Sequence, residues 1–257
     1  MRLAVLQMRA LPGNVEANLK MIEDGLRAAA AQNADLLIAP ELAVTGYGAG
    51  DAITRLAEPA SGPSLHRLNA LVAETGTALV TGFAEAADGA VWNSAAFLDG
   101  KGAPVIYRKS HLYGDYEKNL CKAAAPSAVT FEHAGMKIGM LICFDVEFPE
   151  NVRRLALAGC NLVVVPTALP ESPYSPFIAR SMLPVRAFEN QIFVAYANHA
   201  GADDAFRYAG LSVIAAPDGA MLAHQDDSEA ALLVADLDPD GYAEARKQNS
   251  YLADLRL

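Results

Sequence analysis

One cysteine, Cys143, lies between the end of a predicted strand and the start of a predicted helix. Cys143 follows the strand predicted at residues 137–142, and Pro149 is a favoured first residue for the helix expected at residues 149–159. A side chain at such an elbow faces a cleft, and the N–H groups of a following helix favour the thiolate form of a cysteine. Cys143 is therefore a candidate nucleophile. A last core residue of the strand fits the same pattern equally well.

Two further residues could assist a thiol nucleophile, and both follow predicted strands. None of the five histidines lies in a protease-like cysteine–histidine signature. Glu41 follows the apolar residues 36–39, where burial would raise the pKa of its carboxyl group toward that of a base. Lys109 ends another strand, and its ammonium group could stabilise a thiolate and an oxyanion. The alternatives are a turn carboxylate and a solvated edge lysine, because spacing alone does not bring strand ends together.

Strands and helices alternate along the chain, with hairpins between some of the strands. Apolar positions spaced four and three apart predict a helix at residues 15–29, with Asn14 as its N-cap. Further helices are expected at residues 63–74, 149–159 and 176–188, the last bent at Pro184, and residues 109–122 are expected to form a loop. Strands are predicted at residues 2–8, 36–39, 78–83, 91–98, 104–107, 128–132, 137–142, 162–165, 192–197, 211–215, 221–224 and 232–236. This order favours a mixed sheet with helices outside it, rather than a purely parallel doubly wound fold.

The composition restricts the partners and the compartment. The 257 residues carry a formal net charge of −10, which argues against nucleic-acid and anionic-membrane partners. No apolar run approaches the roughly 18 residues that a membrane span needs. Three cysteines do not make a disulfide framework, so a cytoplasmic protein is expected. Without repeats or linkers, residues 1–257 are expected to form a single domain.

Taken together, these segments resemble the carbon–nitrogen hydrolase (nitrilase) superfamily over nearly the whole chain. The resemblance rests on Glu41 after Pro40, on Lys109 in the segment 107–112, and on Cys143 in the segment 143–150. The family's Glu–Lys–Cys triad corresponds to these three residues. Its amidases have a second active-site glutamate eight residues after the lysine, which corresponds to Glu117.

The resemblance implies a two-step acyl transfer that needs no metal and no organic cofactor. Glu41 would take the thiol proton while Cys143 attacks an amide carbonyl carbon. Lys109 and the backbone N–H of Phe144 would bind the oxyanion, and Glu117 would orient Lys109 or the amide. Glu41 would then protonate the leaving ammonia and activate the water that cleaves the thioester.

The fold implied by the same resemblance is a four-layer αββα sandwich of two mixed sheets. Family members pair through helices into an αββααββα dimer. The helix after Cys143 and the helix at residues 176–188 would lie at the interface, so a homodimer or higher homo-oligomer is expected.

Within the superfamily, the chain is most similar to short aliphatic amidases of the 5-aminopentanamidase-like and R-stereoselective kinds. The segments 144–151, 165–168 and 208–212 carry this likeness. The resemblance implies a small aliphatic carboxamide as the substrate. The acidic residues near the expected cleft (Asp145, Glu147 and Glu171) are the reason to include carboxamides with an amino substituent. The candidate pocket residues are Tyr47, Tyr113, Asp145, Glu147, Thr167 and Ala168, although the two tyrosines could equally be core aromatics.

The same residues are also compatible with other functions. A nitrilase or an N-carbamoyl amidase would use the same triad with a different pocket lining. A non-catalytic interaction subunit with this fold is the alternative of another class. The glycines at residues 46, 48 and 50 predict a flexible turn, because the dinucleotide-binding fingerprint requires a different spacing.

Overall fold

A computed structural model of the protein describes residues 1–256, in which twelve strands form two six-stranded sheets. The strands are β1 (Arg2–Gln7), β2 (Leu36–Ile38), β3 (Ala78–Ala87), β4 (Ala90–Leu98), β5 (Val105–Arg108), β6 (Thr130–His133), β7 (Met136–Met140), β8 (Leu162–Pro166), β9 (Phe193–Ala197), β10 (Val213–Ala215), β11 (Met221–His224) and β12 (Ala231–Asp236). The helices are α1 (Val15–Ala31), α2 (Ala52–Arg55), α3 (Pro63–Thr75), α4 (Gly114–Leu120), α5 (Pro149–Leu157), α6 (Ser175–Phe177), α7 (Leu183–Asn190) and α8 (Ala243–Gln248). Short 3₁₀ turns supplement these elements.

The two sheets share one pairing pattern. The first sheet has the order β12-β1-β2-β3-β4-β5, and the second has the order β6-β7-β8-β9-β10-β11. Read in these directions, the successive pairs in both sheets are antiparallel, parallel, parallel, antiparallel and antiparallel. The edge strand β12 of the first sheet is far from its neighbour β1 in the sequence: Arg2 of β1 lies opposite Asp236 of β12.

The sheets face each other across one apolar core, and helices cover their outer faces. Side chains from both sheets, such as Val5 and Ile38 from the first and Val164 from the second, lie fully buried in this core. Helices α1 and α3 bury apolar stripes in a second core on the outer face of the first sheet. Helix α7 packs on β9 and β10 of the second sheet, beside α5. The structure thereby confirms the predicted four-layer αββα sandwich.

Local sequence signals explain several element ends. The Asn14 side chain accepts a hydrogen bond from the Ala17 N–H, as expected of an N-cap. Gly76 ends α3 in the left-handed conformation that glycine tolerates best. The two residues between β6 and β7, Ala134 and Gly135, both have positive φ, which suits a tight hairpin.

Four segments differ from the predictions, of which the shortest is the unpredicted four-residue helix α2. The expected loop at residues 109–122 contains α4, whose seven residues are too few for a clear helical period. The expected helix at residues 176–188 is divided into α6, a π-helical turn (Ile178–Met182) and α7, with the irregularity just before Pro184. Helix α8 was not predicted, because its sequence is polar and carries no apolar stripe. No helix within residues 1–256 combines the length and the apolar character needed to cross a membrane.

Candidate active site

The backbone around Glu41 is fixed by close contact with the first sheet. Glu41 follows β2, and the Gly82 N–H on β3 donates to the Pro40 carbonyl at 3.0 Å. A Cβ atom at Gly82 would lie 2.3 Å from the Leu42 nitrogen and 2.6 Å from the Glu41 Cα atom. Because only glycine leaves room for this approach, Gly82 allows the loop to lie against the strand and to direct Glu41 inward.

Lys109 follows β5 and is held by two carboxylates. Its Nζ atom lies 2.6 Å from Glu41 Oε1 and 2.7 Å from Glu117 Oε1, and all three side chains are buried. Burial lowers the pKa of Lys109, but the charges of Glu41 and Glu117 outweigh it and raise that pKa well above its usual value. Lys109 is therefore a permanent cation, and the two ion pairs use two of its three N–H groups.

Glu117 is fixed at both of its oxygens. Its Oε1 accepts from Lys109 and also from the Tyr47 hydroxyl at 2.9 Å, while its Oε2 accepts from the Tyr113 N–H at 2.9 Å. Helix α4 places this side chain beside Lys109 and thereby accounts for the spacing of eight residues. With both oxygens occupied, Glu117 is suited to hold Lys109 rather than to carry protons.

Glu41 has one committed oxygen and one free oxygen. Oε1 accepts from Lys109 and from the Asn93 side-chain amide at 2.7 Å, whereas the buried Oε2 has no hydrogen-bond partner within residues 1–256. Burial raises the pKa of Glu41 to about 7, against the opposing effect of Lys109. A carboxylate with this pKa and one free oxygen is suited to accept and return a proton near neutral pH.

Cys143 lies on a strained elbow between β7 and a 3₁₀ turn (Cys143–Glu147). Its φ of 45° is a conformation that side-chain-bearing residues rarely adopt, and its side chain is almost completely buried. Burial and the charge of Glu41 raise the pKa of the Cys143 thiol well above its usual value. The predicted elbow is confirmed, but the expected thiolate is not, because burial and the carboxylate outweigh Lys109. The thiol therefore needs a base.

Asp145, a predicted pocket residue, is instead a fully buried structural hub. Its Oδ1 accepts from the Ser110 hydroxyl at 2.8 Å and from the His111 N–H at 2.8 Å. Its Oδ2 accepts from the Tyr107 hydroxyl at 2.9 Å and from the Ile142 N–H at 3.2 Å. These bonds join the segment after β5 to the segment before Cys143. The prediction that Asp145 contacts substrate is wrong, because both of its oxygens are used inside the protein.

A cavity of about 280 Å³ opens onto Cys143. The residues that line it are Tyr113, Cys143, Glu147, Leu169, Pro170, Ser172, Tyr174 and Ile178. Of the predicted pocket residues, Tyr113 and Glu147 are in this wall. Glu171 is not, and it pairs with Arg207 on the surface at 2.9 Å.

The remaining predicted pocket residues lie behind the cavity wall. Tyr47 is buried in an aromatic cluster and donates to Glu117. Thr167 is fully buried, and its hydroxyl donates to the Val165 carbonyl at 3.0 Å. Ala168 is buried too, and its backbone N–H lowers the pKa of the Cys143 thiol, against the larger effect of burial. Tyr47 and Thr167 are therefore structural residues, and Ala168 acts on the nucleophile through its backbone instead of lining the pocket.

Sequence reasoning missed two buried residues that hold Glu41. Asn93 on β4 donates to its carboxylate, and the only signal was a polar residue within an apolar strand. His199 follows β9, and its Nε2 donates to the Glu41 backbone carbonyl at 2.7 Å. Burial lowers the pKa of His199 to about 4, so the ring is neutral at neutral pH. The individual cavity residues in the segment 169–178 were not predicted, because nothing in their types marks them as site residues.

The described part of the chain contains no group of three histidine, cysteine or carboxylate side chains placed to hold a metal ion. What the arrangement provides is a buried thiol, a base of matched pKa and a fixed cation. These are the parts of a covalent acyl-transfer site.

Comparisons with known proteins agree with this chemistry. The family model described as "Carbon-nitrogen hydrolase" matches residues 2–247. The chain is 42% identical over 259 residues to the "Hydrolase in pqqF 5'region" of Pseudomonas protegens, covering 100% of this chain and 89% of that protein. It is 33% identical to an (R)-stereoselective amidase of a Pseudomonas species, covering 100% of this chain and 92% of that protein. The crystal structure of an amidase from a Nesterenkonia species superposes with a TM-score of 0.88 at 33% identity, covering 100% and 93% of the two chains.

Proposed function

We propose that this chain, which belongs to the carbon–nitrogen hydrolase family and acts on amides, hydrolyses small aliphatic carboxamides to a carboxylate and ammonia. The observation that carries the proposal is the free buried oxygen of Glu41, whose partner oxygen is held by Lys109, beside a protonated Cys143.

The first half of the proposed reaction forms a thioester. Glu41 takes the Cys143 proton as the sulfur attacks the amide carbonyl carbon, and the carbonyl oxygen becomes an oxyanion. The uncommitted N–H of Lys109 and the backbone N–H of Phe144 stabilise that oxyanion. Collapse breaks the carbon–nitrogen bond, and Glu41 returns the proton so that ammonia leaves.

The second half cleaves the thioester with water. Glu41, again a carboxylate, removes a proton from a water molecule, and the resulting nucleophile attacks the acyl carbon. The carbon–sulfur bond breaks, Cys143 recovers its proton from Glu41, and the product leaves as a carboxylic acid that releases its remaining proton to solvent to become the carboxylate. One base thus serves both halves, which requires a pKa near the working pH.

The dimensions of the cavity support a small acyl group. A volume of about 280 Å³, reduced further by the space that the reacting amide occupies, leaves room for a short chain. The Nesterenkonia amidase is described in complex with butyramide, and its active-site cysteine is described as carrying the acetamide moiety of fluoroacetamide. By similarity, we place short aliphatic amides first among the substrates of this chain.

Ammonia release from a substrate panel tests the proposal. The panel contains butyramide, hexanamide, butyronitrile and an N-carbamoyl amino acid, each at equal concentration. Butyramide or hexanamide should give the highest kcat/KM, and Cys143→Ala should remove that activity. A nitrile or carbamoyl compound ahead of every amide would contradict the proposal and favour a nitrilase or an N-carbamoyl amidase.

We also propose that the chain forms a homodimer through the helices that cover the second sheet. Leu157 at the end of α5 and Val185 in α7 each expose about half of their surface, and Phe177 in α6 exposes 62%. Apolar side chains this exposed on neighbouring helices favour burial against a second copy. The αββα sandwiches would then join as αββααββα.

Sedimentation velocity should report a dimer, and Val185→Glu should shift the protein to the monomer. A monomeric wild type would contradict the proposal.

Two further expectations belong with this function. We propose that residues 1–257 act as one carbon–nitrogen hydrolase domain, because both sheets contribute to the one site. We also propose a cytoplasmic location, which the three free cysteines support, since thiols persist in reducing compartments.

A further inference from the structure

Glu147 places a negative charge in the wall of the cavity that contains Cys143. It ends the 3₁₀ turn that begins at Cys143, and its side chain is half-buried. A 3₁₀ turn rises about 2 Å per residue, so the two Cα atoms are separated by roughly 8 Å along the turn. A ligand whose carbonyl carbon meets the sulfur could therefore reach Glu147 with a short chain.

The two cations nearest to Glu147 are committed to other groups. Arg186 donates to the backbone carbonyls of Val146 at 3.0 Å and Glu147 at 2.8 Å, and to the Glu189 carboxylate at 3.0 Å. Lys109 is bound by its own two carboxylates. Within residues 1–256, no N–H or O–H group donates to the Glu147 carboxylate, and burial raises the pKa of this group. An unpaired, partly desolvated carboxylate gains free energy when a cation enters the cavity.

The rest of the wall also suits a cation on a short apolar stem. Tyr113 and Tyr174 line the cavity, and aromatic faces attract ammonium groups. Leu169, Pro170 and Ile178 supply apolar surface for methylene groups. Glu147 is the one carboxylate in this wall.

We propose that Glu147 is a specificity-determining residue that binds a primary ammonium group at the far end of a short aliphatic carboxamide. This inference rests on the proposed function, since it assigns the substrate class of the same site. The ammonium group pairs with the Glu147 carboxylate, while the amide at the other end of the chain lies against Cys143. The backbone bond from Arg186 fixes the peptide that carries Glu147 and leaves the carboxylate free.

A matched pair of amides tests the proposal. In 5-aminopentanamide an ammonium group replaces the terminal methyl group of hexanamide, so the two compounds differ in charge at nearly equal length. Wild-type enzyme should favour the ammonium compound in kcat/KM by about ten- to hundredfold, the range of a charged hydrogen bond. Glu147→Gln should reduce this ratio at least about tenfold. The control is Glu171→Gln, which removes a carboxylate outside this cavity and should leave the ratio unchanged.

Binding without turnover separates this inference from the proposed function. Calorimetric titration of 5-aminopentanamide into Cys143→Ala, and into the same variant with Glu147→Gln, should show tighter binding when Glu147 is present. If Glu147→Gln changes neither the kcat/KM ratio of the two amides nor the affinity for 5-aminopentanamide, the inference is overturned, even if hexanamide is hydrolysed. Affinity that depends on Glu147 in an enzyme that hydrolyses no amide would support the inference and overturn the proposed function.

Discussion

The two sheets of the sandwich have the same pairing pattern but position their reactive groups by different means. The first sheet provides Glu41 and Lys109, which are held by ion pairs and by the Asn93 amide. The second sheet provides Cys143, which is held by a strained backbone turn, with Asp145 accepting the Ile142 N–H beside it. Ion pairs and hydrogen bonds of side chains thus hold the base in position, whereas the conformation of the backbone holds the nucleophile in position.

The difference extends to the glycines behind each group. Gly82 on β3 faces the backbone of the Glu41 loop, which cannot move aside. Gly139 on β7 faces the end of the Leu155 side chain, at 2.7 Å from a hypothetical Cβ atom. A side-chain end can rotate, so the loop that carries the base depends more strictly on its glycine than the strand that leads to the nucleophile.

The largest effect should come from the second sheet. Cys143→Ala removes the nucleophile and should lower kcat for amide hydrolysis by about ten-thousandfold or more. Ammonia release measures the loss, and thermal unfolding should show a melting temperature close to that of the wild type. Substantial turnover by this variant would show that the thiol is not the nucleophile.

The next largest effect should come from the base in the first sheet. Glu41→Gln keeps an acceptor for Lys109 but cannot take the thiol proton, so kcat should fall about 10²- to 10⁴-fold. Steady-state kinetics at pH 8 measures this loss, with circular dichroism as the folding control. Unchanged activity would remove Glu41 as the base.

The two glycines compare the sheets directly. Gly82→Ala forces a methyl group against the Glu41 loop and should cost about 1–3 kcal/mol of unfolding free energy, with a loss of activity. Gly139→Ala should cost less, and Gly102→Ala, where nothing lies within 4 Å, should be nearly neutral. Urea unfolding of the three variants gives the order. Equal losses at Gly82 and Gly139 would contradict the distinction drawn between the sheets.

The smallest effect should come from a change in the pKa of Glu41. Because the carboxylate form of Glu41 is the active form and its pKa is about 7, kcat/KM should rise with pH through 7. The Asn93 hydrogen bond lowers this pKa, so Asn93→Leu should move the rising limb to higher pH, by roughly one unit. A pH–rate profile measures the shift. A limb that moves to lower pH, or stays in place, would contradict the role of Asn93.

Apolar runs and helical stripes predicted a mixed sheet with helices outside it, as the buried faces of α1 and β8 show, whereas the division into two facing sheets was implied by the family resemblance. The sequence predicted the positions of Glu41, Lys109 and Cys143 because each follows a strand. It failed for Asp145, since a residue type does not reveal whether its oxygens are used by the protein or left for a ligand. The individual wall residues within 169–178 were not predicted for a related reason: side chains of ordinary type become a pocket only through the path of the chain.

The pairing of β1 with β12 has a consequence for how the protein is made. Strand β1 meets its outer neighbour β12 only after about 230 further residues have been synthesised. Until then one edge of the first sheet keeps its N–H and C=O groups open to other chains. The first sheet is therefore completed only after β12 has been synthesised, and until then its open edge exposes the nascent chain to aggregation.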